Sequence, residues 1–387
     1  MDGNPFKPTA GKMPPVLVGR QLIIEDFREA LRDGIGAPGR IMLVTGQRGF
    51  GKTVMLTEFR KIAKSEGWLT ISETASDGLV DRLALALDPQ DGLRVAGAQL
   101  SPAISAGGLG SLSLGGITVS HEMAPLTLRT AMDHCLAGKR TKKGKGVLIT
   151  IDEMQSASRE DIVAIATAVQ HVIAQSDESD IAERDKRGVA IVFAGLPSMV
   201  NELVNNNTTT FMRRAMQREL ANVSVPEVRD AYVKTIGESG MDIDKDVADQ
   251  AARISQGYPY MIQLVGYYVW RSARRRNARS IELQDIRQGE HDALTEFVQA
   301  VCAPAIDGLG ASERIFLRAM AESSGQSGFG AAGMAKISDI VSASRHSRSW
   351  VNKYRAILLR DRIIEVAGHG YVTFAIPHLR EYIMSVG

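Results

Sequence analysis

The sequence predicts an α/β fold, a parallel sheet with helices on both faces, followed by an all-helical lid and a C-terminal winged helix. Three observations carry that expectation. Short apolar runs alternate with helix-length segments from residue 16 to about residue 175. The apolar period turns helical after Pro226 and stays so to about residue 305. Three further helix-length segments then precede two β-rich runs that meet around Gly368 and Gly370.

RIMLVTG (40–46), GVLITIDE (146–153) and AIVFAGLP (190–197) are apolar at nearly every position, the pattern of strands covered on both faces. Between residues 93 and 122 a Gly- and Ser-rich insertion reads as a flexible loop or small hairpin, and its chemistry names no substrate. DVADQAARISQG closes a helix at Gly257, and Pro259 falls in the first turn of the next, where a missing N–H is tolerated. CAPAIDGLGAS (302–312) reads as a linker, with helices expected beyond it at 313–323, 334–342 and 347–361. The domain plan is a disordered N-terminus (1–15), an α/β domain (16–225) containing the insertion, a helical lid (226–305) and a winged helix (306–387). At roughly 150 residues per domain, 387 residues suit such a plan.

Hydrophobic residues make up 44% and charged residues 23%, which excludes collagenous, coiled-coil and wholly disordered chains. Forty-six basic against 44 acidic residues leave a net charge of +2, so any nucleic-acid surface must be local. Cys135 and Cys302 have neither a CxxC spacing nor neighbouring histidines suited to zinc, and read as buried thiols in a reducing compartment. The first residues lack the basic and apolar segments of a signal peptide, and no apolar run reaches the roughly 18 residues of a membrane span, so a soluble cytoplasmic protein is expected. The seven histidines show no ligand spacing, and no Ser-His-Asp arrangement is legible, which disfavours a metal hydrolase or an acyl-transfer enzyme.

The most informative segment is Gly46-Gln47-Arg48-Gly49-Phe50-Gly51-Lys52-Thr53, which fits G-x-x-x-x-G-K-[ST] between a buried strand and a helix opened by Val54. Glycines let backbone N–H groups converge on phosphate oxygens, and the helix N-terminus adds partial positive charge. Lys52 is expected to reach the β and γ phosphates of ATP, and Thr53 to bind Mg²⁺. GVLITIDE supplies the complementary half, with Asp152 at a strand's carboxyl end as a second Mg²⁺ ligand and Glu153 as the base that deprotonates the attacking water.

With these motifs the chain resembles the AAA+ P-loop ATPases, most closely the branch shared by origin-recognition-type initiators and the STAND signal-transduction ATPases. The resemblance spans residues 16–382 and rests on LVGR (17–20), GQRGFGKT (46–53), ITIDEMQ (149–155), AGLP (194–197), FMRRA (211–215) and QGYPYMIQLVG (256–266). It implies that Val18, Gly19 and Arg20 lie near the adenine and that Pro259 approaches the ribose or phosphates. It further implies that Arg213 or Arg214 serves as an arginine finger for a neighbouring subunit in a homo-oligomer. Two departures accompany it. Ala194 and Gly195 stand where relatives place a polar sensor, with Ser198 a poor substitute, and Tyr260 replaces a sensor arginine.

Three basic clusters remain. KRTKKGK (139–145) reads as a solvated loop, and WRSARRRNAR (270–279) as a helix C-terminus whose cations offset the macrodipole. SRHSRSWVNKYRAILLRDR (344–362) sets six cations against Asp361 in the expected recognition helix. There Arg345, Ser347, Arg348, Ser349, Asn352 and Lys353 are expected to face duplex DNA, while Trp350, Val351, Tyr354 and Leu358 or Leu359 pack inward. Three functions stay open: an ATPase that moves its lid and winged helix, a slow nucleotide-gated switch that recruits a protein partner, and a DNA-binding initiator or transposition helper.

Overall fold

The structure is a computed structural model that describes residues 3–9, 12–47, 49–88, 127–197, 212–324 and 333–386. The 93–122 insertion lies outside the described residues. The chain forms two compact units, one of Ile24–Val44 and Leu56–Arg218, the other of Met1–Ile23, Thr45–Met55 and Glu219–Gly387.

The first unit holds a five-stranded sheet of β1 (Ile41–Thr45), β2 (Leu69–Thr74), β3 (Gly146–Asp152), β4 (Gly188–Gly195) and β5 (Met216–Glu219), in the order β2-β3-β4-β1-β5. β2 with β3 and β3 with β4 are parallel, with Ile71 opposite Ile149 and Ile149 opposite Ile191. Every residue of β3 and β4 is buried, which explains their unbroken apolar sequence. Val147, Ile149 and Ile151 of β3 point into a core shared with α3 (Leu79–Leu87), α4 (Leu128–Ala137) and α5 (Arg159–Asp177). The alternate residue Thr150 accepts a hydrogen bond from Arg60 (2.9 Å) of α2 (Lys52–Ser65), so helices cover both faces. Phe27 of α1 (Gln21–Arg32) meets Phe59 of α2 at 4.4 Å. Thr127 and Ser158 cap α4 and α5 by accepting from the backbone N–H groups of Thr130 and Asp161.

The second unit begins its helical part with α6 (Val225–Glu238), capped reciprocally by Ser224 and Glu227, and continues through α7 (Lys245–Ser255), α8 (Pro259–Arg275) and α9 (Leu283–Phe297). The two-residue strands β6 (Asp242–Ile243) and β7 (Ser280–Ile281) pair in parallel. The expected linker at 302–312 is instead largely helical: α9 runs through a π-turn (Val298–Cys302) into α10 (Ala303–Asp307). Burial explains this, because Cys302 is fully enclosed, and that burial, with Glu381 second, pushes its thiol up to about 12. Three cations at the arginine-rich end of α8 have partners close by. Arg276 donates twice to the buried Asp285, and Arg271 and Arg274 lie over Tyr268 and Trp270.

The C-terminal part comprises α11 (Ala311–Ser323), β8 (Ala335–Lys336), α12 (Ile337–Ser344), α13 (Arg348–Arg360), β9 (Ile364–Gly368), β10 (Tyr371–Phe374) and α14 (Leu379–Val386). Its antiparallel sheet has the order β8-β10-β9. The helix expected from residue 334 starts at Ile337, because Ala335 and Lys336 pair with β10.

The N-terminus corrects an expectation. Residues 3–9 are ordered against the helical layer rather than disordered: Phe6 is buried and meets Tyr232 edge-on at 5.7 Å, and Asn4 donates to the Tyr267 carbonyl (2.9 Å). Gly266 makes the room, since a Cβ there would lie 2.5 Å from the Phe6 ring. Among the described residues no helix is long and apolar enough to cross a membrane, and no group of three or more His, Cys, Asp or Glu is arranged to hold a metal ion.

Candidate functional site

The loop after β1 turns on Gly49 (φ 79°) and Gly51 (φ 84°), in the left-handed region that penalises side chains. Lys52 opens α2 and is buried, its ammonium donating to the carbonyls of Gly46 and Gln47, both at 2.9 Å. Its charge is thus held inside the loop rather than in solvent. Phe50 is buried edge-on to Tyr258 at 4.9 Å, while Thr53 is exposed and Val54 half-buried. Arg48 lies outside the described residues.

Residues 220–223, which the sequence left unremarked, bring the motifs of this unit together. The Leu220 N–H donates to the Thr45 carbonyl at 2.7 Å, and a Cβ on Gly46 would stand 3.1 Å from Leu220. Val223 donates to the Gly257 carbonyl (2.8 Å) and packs against Gly19, where a Cβ would lie 3.3 Å away. Arg20 is buried and donates to the Ala221 carbonyl at 2.8 Å; desolvation lowers its pKa, opposed by the nearby Glu227. Arg20 therefore ties residues 18–20 to this segment, with Val18 half-buried beside it. Tyr258 precedes Pro259, the first residue of α8, and lies so close to Gly49 that a Cβ there would be 2.9 Å from the ring.

The loop also touches the C-terminal sheet. The Gln47 side-chain amide donates to the carboxylate of Glu365 on β9 at 3.0 Å, and Arg362 pairs with Glu219 at 3.5 Å. Burial raises the Glu365 carboxyl above its ordinary value, with Arg362 opposing and Glu219 adding to the rise.

In the sheet unit, Asp152 ends β3, buried, with its carboxylate accepting from the Glu153 N–H at 2.9 Å. Arg60 is the nearby cation; burial lowers its pKa and Asp152 counteracts this. Glu153 is exposed in a left-handed conformation (φ 53°) and accepts a hydrogen bond from the Gln155 amide. Gln155 in turn accepts from the N–H of Leu196, just past β4, at 3.2 Å. Arg213 and Arg214 are exposed, and Arg214 lines a cavity of about 300 Å³ with Ile41, Gly188 and Val189, the first residues of β1 and β4. Arg214 therefore sits at the sheet edge opposite Asp152. Ser198 lies outside the described residues.

Ser347 is spent as the N-cap of α13, accepting from the Trp350 N–H, while Arg345, Arg348, Ser349, Asn352 and Lys353 are exposed. Trp350 and Tyr354, expected to pack inward, are instead half-exposed. His346 stacks on Trp350 at 4.0 Å, Trp350 meets Tyr354 at 4.6 Å, and Lys353 lies over Tyr354. Val351 and Leu358 do pack inward.

Residues 16–177 match the family model described as the AAA ATPase domain, and residues 299–383 match one described as a domain of unknown function. No curated protein matches the chain. Among solved structures, the ORC2 protein of Aeropyrum pernix in ADPNP-ADP complexes is similar over 98% of this chain and 95% of its own, at 12% identity and a TM-score of 0.61. A Walker-type ATPase of Pyrococcus abyssi is similar over 95% and 96%, at 14% identity and a TM-score of 0.57. At such identities the likeness is one of fold, and the fold is that of an α/β P-loop NTPase followed by a helical C-terminal region.

Proposed function

We propose that this protein binds ATP and hydrolyses it with Mg²⁺, coupling the nucleotide cycle to its helical lid (226–305) and to a winged helix (306–387). The observation that carries this reading is the loop itself: two left-handed glycines, a helix that opens at its end, and a buried ammonium held on the loop's own carbonyls. That arrangement offers amides and a positive charge to a polyphosphate. The Thr53 hydroxyl and the Asp152 carboxylate are hard oxygen donors of the type Mg²⁺ takes, and the ion would neutralise charge on the phosphates. Lys52 balances the terminal phosphates, and Glu153 accepts the proton of the attacking water. Arg214, at the sheet edge opposite Asp152, suits a neighbour's site better than its own, so a homo-oligomer with Arg213 or Arg214 acting in trans is part of the proposal.

A second reading, the nucleotide-gated switch, is favoured by the Gln47–Glu365 hydrogen bond, through which the C-terminal sheet touches the phosphate loop. Duplex DNA is the proposed partner of the exposed cations on α13, a protein partner the alternative.

The test is ATP binding and phosphate release by wild type, Lys52→Ala and Glu153→Gln. Lys52→Ala is expected to lose nucleotide binding; Glu153→Gln is expected to keep it while turnover falls by about 100-fold or more. Wild-type ATP affinity in Lys52→Ala would contradict the assignment of the loop.

A further inference from the structure

The end of β4 carries Ala194 and Gly195, neither of which has a polar side chain to offer. The amide of Gln155 reaches that point from the next strand. A 3-10 turn (Met154–Ser156) follows Glu153, closed by the Ser156 N–H on the Glu153 carbonyl at 2.8 Å and pinned by the buried Met154. This turn directs Gln155 to two groups at once. Its oxygen accepts from the Leu196 N–H at 3.2 Å, and its nitrogen donates to the Glu153 carboxylate. The orientation of the amide is dictated by its partners, because a backbone N–H only donates and an ionised carboxylate only accepts.

We propose that Gln155 is a positioning residue that holds the Glu153 carboxylate and couples it to the end of β4. The proposal rests on Glu153 acting as the base for water attack, as set out above. One side-chain amide supplies both a fixed orientation for the base and a link to the adjacent strand, the link that residues 194 and 195 cannot make with side chains. Movement of residues 195–197 is then transmitted to the base through a single amide. Glu153 is exposed, and among the described residues the Gln155 amide is the side-chain donor that meets its carboxylate.

The test uses the full chain with Gln155→Met, which keeps length and loses both hydrogen bonds, and Gln155→Glu, which keeps the acceptor for Leu196 and loses the donor to Glu153. Both variants are expected to lower kcat by about 10- to 100-fold with KM for ATP within about twofold, the signature of a misplaced base rather than lost binding. Gln155→Glu is expected to fall at least as far as Gln155→Met, because it sets a second carboxylate beside the first. Single-turnover measurements in a Glu153→Gln background separate positioning from general structural damage. There Gln155→Met is expected to have no further effect, whereas the same loss in both backgrounds would overturn the proposal. An unchanged kcat in both Gln155 variants would overturn it as well. If Glu153→Gln itself leaves turnover intact, the catalytic reading of Glu153 fails; if Glu153→Gln stops turnover while Gln155 variants are silent, only the present inference fails.

Discussion

Gly49→Ala probes the contact between the phosphate loop and the start of α8. Gly49 has φ 79°, and an added Cβ would stand 2.9 Å from both Cε1 and Oη of Tyr258 and 3.2 Å from its Cζ. Tyr258 cannot easily retreat: it is buried, with Phe50 edge-on at 4.9 Å and Phe297 at 5.4 Å. The left-handed backbone costs an alanine about 1–2 kcal/mol, and overpacking adds about 1–3 kcal/mol. If phosphates bind only the native loop, a central cost of about 3 kcal/mol weakens ATP roughly 100-fold. Calorimetric Kd values for Gly49→Ala, Tyr258→Leu and the double variant complete a cycle. Shrinking the ring is expected to restore about 1–2 kcal/mol of affinity to the alanine variant, the steric share of the loss. Wild-type affinity in Gly49→Ala, or strict additivity in the double variant, refutes the argument that the ring fills the space over the loop.

Burial places the Glu365 carboxyl above its unfolded value of 4.5, so this group contributes stability that is complete below that pH and lost as pH rises through the folded value. Glu365→Gln keeps an acceptor for Gln47 and removes the titration; its melting temperature relative to wild type is expected to grow as pH climbs above 4.5, and a flat or shrinking difference refutes the assignment. If α13 contacts phosphates, Arg348→Ala with Lys353→Ala should weaken duplex DNA binding and reduce the salt slope by about two, and unchanged affinity removes α13 from the interface. If Arg213 and Arg214 act in trans, mixing the Arg213→Ala, Arg214→Ala double variant with Lys52→Ala should restore part of the turnover each lacks alone; no recovery on mixing counts against a shared site.

The sequence disclosed β1, β3 and β4 because strands covered on both faces must be apolar throughout. β2 and β5 escaped notice because each closes an edge of the sheet and carries polar residues, as LTISET and MQRE show. The loop was legible because its chemistry is local, fixed by eight consecutive residues. Its surroundings were not, because Leu220, Tyr258 and Glu365 reach it across long stretches of chain that no spacing rule connects. Gln155 was quoted within its motif yet given no role, since its meaning depends on where β4 ends. Trp350 and Tyr354 misled for a related reason. Aromatics four residues apart suggest a core stripe, but here Trp350 stacks on His346 and meets Tyr354 at a tilt instead of entering the interior.

Two kinds of contact surround the phosphate loop, and they differ in how readily they exchange. Residues 220–223 meet it, and meet Gly19 and Gly257, through main-chain hydrogen bonds and close approaches at glycines; at Gly257 a Cβ would fall 1.9 Å from the Val223 carbonyl oxygen. Displacing this segment means breaking main-chain hydrogen bonds at the buried Leu220 and Val223, besides the bond from Arg20 to the Ala221 carbonyl. The C-terminal sheet meets the loop through the side chains of Gln47 and Glu365, supported by Arg362 on Glu219. A hydrogen bond to a charged group nets about 1.5–3 kcal/mol, a difference that ligand binding readily outweighs. Residues 220–223 thus hold the loop through main chain, and β9 holds it through side chains. On the proposed nucleotide-gated reading, a phosphate that draws the Gln47 amide acts on the second contact first, and that would tie the C-terminal region to the state of the loop.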